Sequence, residues 1–96
     1  MASYNWPPQA SSGGGGASVL ASGTANLASG SASFSITYSS AISSAIAPIF
    51  SFINTVDGSP IFLIGYVSAF STSGFTVKTN ASTDTANYKL AYAVLG

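Results

Sequence analysis

The chain has 96 residues, enough for one domain, and only 4% of them are charged: Asp57, Lys78, Asp84 and Lys89, with no arginine, histidine or cysteine and a net charge of zero. That inventory excludes disulfides, thiolate nucleophiles and zinc-thiolate sites, and it removes histidine as a metal ligand and general base. A soluble domain normally carries about 25% charged residues, so this surface is expected to face another protein surface, and the lack of positive charge argues against a nucleic-acid partner.

Residues 1–17 form a compositional unit of their own. An aromatic-proline tip, Tyr4-Asn5-Trp6-Pro7-Pro8, is followed by Gln9-Ala10-Ser11-Ser12 and by the run Gly13 to Gly16. Four successive glycines lose too much backbone entropy to order unaided, so the run reads as a flexible linker. Tyr4, Trp6, Pro7 and Pro8 join large amphipathic rings to a preset extended backbone, the composition of a peptide that docks in a partner groove. A plain disordered terminus and a tip packed on its own domain are the competing readings. The start has neither the basic nor the apolar segment of a secretory signal, so synthesis in the cytoplasm is expected.

From residue 18 the pattern has period two. Residues 18–28 form a weak strand, with Gly23 at an expected bulge. Phe34-Ser35-Ile36-Thr37-Tyr38 alternates apolar and hydroxyl side chains. Residues 39–47 could form a helical turn or two before Pro48 stops it. Two further runs, Ile49-Phe50-Ser51-Phe52-Ile53 and Ile61-Phe62-Leu63-Ile64-Gly65-Tyr66-Val67, are apolar on both faces. Between them Asp57-Gly58 is a hairpin-type turn. Each run is well below the ~20 residues of a membrane-spanning helix, and their Ile, Phe and Val content suits strands, so no membrane insertion is expected.

Gly74-Phe75-Thr76-Val77-Lys78-Thr79 places Phe75 and Val77 inward and Thr76 and Lys78 outward, after a turn at Ser71-Thr72-Ser73. In residues 87–94 the large side chains again fall on every second position, with Lys89 opposite. The expected fold is therefore all-β, a small antiparallel β-sandwich of about six strands over residues 18–96. A sandwich strand ordinarily keeps one face in water, so the doubly apolar runs need a second cover. Ile49, Phe50, Phe52, Ile61, Phe62, Ile64 and Tyr66 are accordingly expected in an interface between subunits or in the core. The alternative is that one run is a central core strand and the other passes under a loop. Each buried side chain of this kind is worth roughly 1.5–3 kcal/mol, so leaving several exposed favours association.

Other chemistry is weakly represented. Serine is abundant but has no histidine base, and Lys78 and Lys89 sit on the polar phase of their strands. Asp57 and Asp84 lie in turn and loop contexts where aspartate caps backbone amides, so no metal, cofactor or catalytic residue is expected. The glycine run lacks the lysine and the strand-to-helix setting of a phosphate loop.

The order of Phe34-Ser35-Ile36-Thr37-Tyr38, Ala47-Pro48-Ile49-Phe50, Ser71-Thr72-Ser73-Gly74-Phe75-Thr76-Val77 and the closing Tyr88-Lys89-Leu90-Ala91-Tyr92-Ala93-Val94-Leu95-Gly96 resembles the H-type lectin-like domain, over residues 23–96. That domain is also found at the ends of bacteriophage fibre and other virion proteins. The resemblance implies a six-stranded antiparallel sandwich assembling as a homotrimer. It points to a bacteriophage virion structural protein, a head decoration, fibre or knob, attached through the N-terminal arm to another virion protein such as capsid, portal or tail. The alternative it implies is a lectin binding host glycans. Lectins of this type use loop arginine, histidine and tryptophan, whereas this chain has no arginine or histidine and its one tryptophan, Trp6, lies in the arm.

Overall fold

A computed structural model describes residues 18–96 of the chain. The expected arm residues Tyr4, Trp6, Pro7 and Pro8 and the glycine run lie outside the described residues. The described chain contains six strands and no helix: β1 (Val19–Asn26), β2 (Ser33–Thr37), β3 (Ile49–Ile53), β4 (Gly65–Phe70), β5 (Gly74–Thr79) and β6 (Lys89–Leu95). They form two three-stranded antiparallel sheets, ordered β1-β6-β3 and β2-β5-β4.

Alternation in sequence becomes alternation of burial. Phe34 and Ile36 on β2, Phe75 and Val77 on β5, and Leu90 and Val94 on β6 point between the sheets, and Leu27, Tyr38, Ile42 and Tyr88 close the core around them. Val77, Leu90 and Val94 are completely buried. The outward side chains of the second sheet are hydroxyl-rich: Ser33, Ser35 and Thr37 on β2 face solvent, and Ser35 and Thr76 approach each other across the ladder. These strands therefore hold one wet and one dry face, as an antiparallel sheet permits.

Four local expectations are corrected. Residues 39–47 are not helical. The Tyr38 and Ile42 amides donate to the carbonyls of Ser73 and Thr72, drawing that segment across the sandwich instead of into an i to i+4 ladder. Gly23 pairs in register with Tyr92, and the irregularity of β1 falls between Val19 and Ala21. The glycine leaves room for a ring, since a Cβ there would lie 3.0 Å from the Tyr92 hydroxyl. Asp57-Gly58 is not a hairpin turn, because β3 and β4 lie in different sheets and residues 54–64 cross between them. The hairpin between successive strands is at residues 71–74, where the Ser71 amide donates to the Gly74 carbonyl. There a Cβ on Gly74 would run into the Ile36 carbonyl oxygen, so this position accepts no side chain without moving backbone. Last, the strand expected over 61–67 begins only at Gly65, and residues 61–64 have no ladder pairing.

One buried polar side chain ties the loops at the end of the sandwich. Thr83 is 2% exposed, and its hydroxyl donates to the Ala28 carbonyl at 2.6 Å. The Thr83 amide and carbonyl also pair with Ser31 and Gly30, so residues 80–88 are fastened to the β1–β2 turn. Thr83→Val keeps the shape but leaves a carbonyl without its donor. A loss of roughly 1–3 kcal/mol is expected, measured by urea unfolding against wild type.

Candidate association surface

The seven side chains expected in the interface or the core divide cleanly. Phe50, Phe52 and Ile61 are half-buried and pack against the core, whereas Ile49, Phe62, Ile64 and Tyr66 are exposed. Leu63 and Val67 join the packed group. Strand β3 explains the division: Phe50 and Phe52 lie on its inner face, their rings in an edge-on contact at 5.6 Å, while Ile49, Ser51 and Ile53 point outward. Residues 61–64 alternate in the same way, Ile61 and Leu63 inward and Phe62 and Ile64 outward.

Nine large hydrophobic side chains are exposed among the described residues, and seven of them fall between residues 49 and 70: Ile49, Ile53, Val56, Phe62, Ile64, Tyr66 and Phe70. Phe62 stands out furthest, at 78% exposed. The other two, Val19 and Leu95, are cross-strand partners at the far end of the first sheet. Scattered apolar exposure is ordinary, but these seven concentrate in one stretch of the chain, the 49–70 flank, and no charged residue lies from 58 to 77.

The flank is held in place by polar groups that its own backbone and side chains recruit. The Ile61 amide donates to the Tyr88 hydroxyl at 2.8 Å, and that hydroxyl donates to Asp84 Oδ1 at 2.8 Å. The Ile64 amide donates to Asn80 Oδ1 at 2.8 Å, and the Asn80 amide donates to the Ile64 carbonyl. The Ile61 and Ile64 amides thus meet side-chain acceptors, and the Ile64 carbonyl meets the backbone amide of Asn80, where a strand would use a ladder. At the start of the crossover, Asn54 Oδ1 accepts from the amides of Val56 and Asp57. The Asp57 carboxylate accepts from Thr85 Oγ1 at 2.5 Å, Asn54 Nδ2 at 2.7 Å and Asn87 Nδ2 at 2.9 Å. Asp57 was expected to cap local backbone amides, and it instead bridges the crossover to residues 85–87.

The hydrogen bond from Thr85, followed by those from Asn54 and Asn87, lowers the Asp57 pKa below its ordinary 3.8, so the group is a fixed anion and no general acid. Burial, and then the bond to Asp84, raises the pKa of Tyr88 and keeps it a hydroxyl donor. Burial and then Tyr92 likewise raise that of Tyr38, whose hydroxyl has no protein partner. Among the described residues no three His, Cys, Asp or Glu side chains cluster to hold a metal, and no helix is long and apolar enough to cross a membrane.

Asp57 gives the flank an acid limit. Its folded pKa lies below the unfolded one, so its contribution is complete above about pH 4 and is lost as pH falls through the folded value. Asp57→Asn should therefore flatten the acid side of the stability-versus-pH curve and lower the plateau above pH 4. An unchanged acid limb in the variant would assign the loss to other groups.

A concavity of about 260 Å³ opens beside the crossover, lined by Phe52, Asn54, Pro60, Ile61, Phe62 and Tyr88 among others. Its polar members, Asn54 and Tyr88, are already engaged by Asp57, Asp84 and the Ile61 amide. A second, shallower depression of about 400 Å³ lies on the first sheet, lined by Ile49, Ser51, Ala91 and Ala93 with the intervening Phe50 and Tyr92. No protein-family model, curated protein or solved structure matches the chain.

Proposed function

We propose that this chain is a structural assembly unit and not an enzyme: a trimeric β-sandwich of a bacteriophage virion, serving as a head decoration, fibre or knob, and attached to another virion protein through residues 1–17. The observation that carries the assembly reading is the run of exposed apolar side chains from Ile49 to Phe70 on a chain with almost no charge. Several side chains worth roughly 1.5–3 kcal/mol each on burial favour a subunit contact over solvent. The virion setting rests on the resemblance to the H-type lectin-like domain and on the composition of the arm.

Ser18 and Gly96 exchange backbone hydrogen bonds of 2.8 and 2.9 Å, so residue 18 is fastened at the end of the first sheet. A glycan-binding role would need unpaired polar side chains beside an exposed ring. Around Phe62 the groups of Asn54, Asp57 and Tyr88 are bonded to one another or to backbone. This favours the structural role.

The test is removal of residues 1–17 in the native particle. The truncated chain should melt as the full chain does while its occupancy on particles falls to background, and Trp6→Ala should reproduce most of that loss because a buried aromatic anchor commonly carries 2 kcal/mol or more of binding. Normal incorporation of the truncated chain would overturn attachment through the arm. Sedimentation of the purified chain as a monomer at micromolar concentration would overturn the trimer.

A further inference from the structure

We infer that β3 is a strand through which two copies of this chain meet: its open edge pairs antiparallel with the same strand of a second copy, about a two-fold axis at Ser51, and joins two first sheets into one. The inference rests on the assembly reading above and adds a named contact to it.

A strand at the edge of a sheet presents a row of unpaired amide and carbonyl groups, and proteins ordinarily interrupt that row with a bulge, a charge, a proline or a cover. Of the edge strands β1, β3, β2 and β4, all but one are interrupted. The ladders of β1 and β4 break register between Val19 and Ala21 and between Val67 and Ala69. At β2 the Ser31 hydroxyl donates to the Ser33 carbonyl at 2.9 Å and accepts from the Ser33 amide at 3.4 Å, occupying both backbone groups of that residue. Strand β3 has none of these devices. It pairs with β6 in unbroken register, includes neither proline nor charge, and among the described residues its backbone makes no hydrogen bond beyond that ladder. The crossover residues Pro60 to Leu63 line a concavity together with Phe52 and Ile53, but no backbone bond joins them to β3.

The sequence of the strand selects the occupant. Ile49-Phe50-Ser51-Phe52-Ile53 reads the same in both directions. An antiparallel copy centred on Ser51 therefore sets Ile49 opposite Ile53, Phe50 opposite Phe52 and Ser51 opposite itself, with every residue of the strand paired. Residues directly opposite share a face, so the exposed Ile49 and Ile53 meet outside, and Phe50 and Phe52, which their own chain only half buries, meet inside. A slip by one residue would set phenylalanine against serine or isoleucine across the two faces, and a slip by two would leave fewer pairs. Identical chains associate most often through such a self-complementary contact. Phe62 lines the concavity beside Phe52 and Ile53 and so borders the joint. The pairing adds to the proposed three-fold order instead of producing it: alone it gives dimers, and with a three-fold contact elsewhere it joins trimers in pairs.

The test compares Ile49→Glu/Ile53→Glu with Ile49→Lys/Ile53→Glu by sedimentation, with far-UV circular dichroism to confirm folding. Both side chains point outward, so both variants should fold. In each, the carboxylate introduced at position 53 faces Lys89 of its own chain and position 49 faces Ala93, so within one chain they differ little. Between chains they are opposites: the facing positions 49 and 53 carry like charges in the first variant and opposite charges in the second. The first should associate about tenfold or more weakly than the second. Ser35→Glu/Thr37→Glu, which adds the same charge to the exposed face of the second sheet, should associate as wild type does. Equal association of the two edge variants, or an equal loss in the second-sheet variant, overturns the pairing. The absence of cysteine allows a second readout. On oxidation Ser51→Cys chains should cross-link to one another, and Ile49→Cys chains to Ile53→Cys chains but not to themselves; cross-linking of Ile49→Cys chains alone overturns the register. A wild type that associates while Ser51→Cys chains fail to cross-link rejects only this contact, whereas a monomeric wild type rejects the assembly reading as well.

Discussion

Leu90→Ala should destabilise the domain by about 2–5 kcal/mol, the largest loss expected from any single truncation in the sandwich. Leu90 is completely buried at the centre of β6, the strand that pairs with both β1 and β3, and its cross-strand neighbours are Ala25 and Phe52. Ala25 offers no bulk to fill the space, and β6 cannot shift inward without giving up one of its two ladders. The cavity should therefore persist. For a domain of this size the change corresponds to a fall in Tm of roughly 10 °C or more at fixed protein concentration. Leu95→Ala on the same strand serves as the control, since Leu95 is 44% exposed and its loss should scarcely move the melting of the fold. Equal effects at the two positions would contradict the assignment of inside and outside on β6.

The second large effect comes from two adjacent residues whose substitutions should fail in different ways. Ile61→Asp places a charge where a half-buried side chain packs on the core, beside an amide already bonded to the Tyr88 hydroxyl, and an unpaired charge taken out of water costs several kcal/mol. That chain should not reach a folded state. Phe62→Asp places the same charge in solvent, so its circular dichroism should match wild type while the proposed assembly is lost. Loss of folding in both, or assembly retained in Phe62→Asp, would show that the alternation of residues 61–64 does not separate core from interface.

Those two residues also mark where reading the sequence stops. Ile61 and Phe62 are equivalent as members of an apolar run, and nothing in local composition tells which of them faces the core. Strands β2, β5 and β6 were legible because each has one hydroxyl or charged phase and one apolar phase. Solvent is specified there by the residues themselves, as with Thr76 and Lys78 against Phe75 and Val77. The run 61–67 has no polar phase, so its faces are assigned only by what lies beside it. The strand starts at Gly65 instead of at Ile61 for a related reason. The backbone groups of Ile61 and Ile64 are satisfied by Tyr88 and by Asn80, residues 27 and 16 positions away, and no pattern within the run announces partners so distant.

The turns divide in the same manner. Serine and glycine at 71–74 make a hairpin because β4 and β5 are neighbours in one sheet, whereas Asp57-Gly58, the stronger hairpin dipeptide, lies on a crossover. A dipeptide sets which backbone angles are accessible, and the pairing of β3 with β6 rather than with β4 sets how they are used. By itself, then, the sequence determined the class of the fold, the count of strands and the inward residues of β2, β5 and β6. Those follow from period-two burial, a property of each strand alone. The tertiary structure decided which strands share a sheet, the threefold grip on Asp57 and the exposure of Phe62, Ile64 and Tyr66. Each of these depends on contacts between segments far apart in the chain, whose energies exist only once the two sheets have closed on each other.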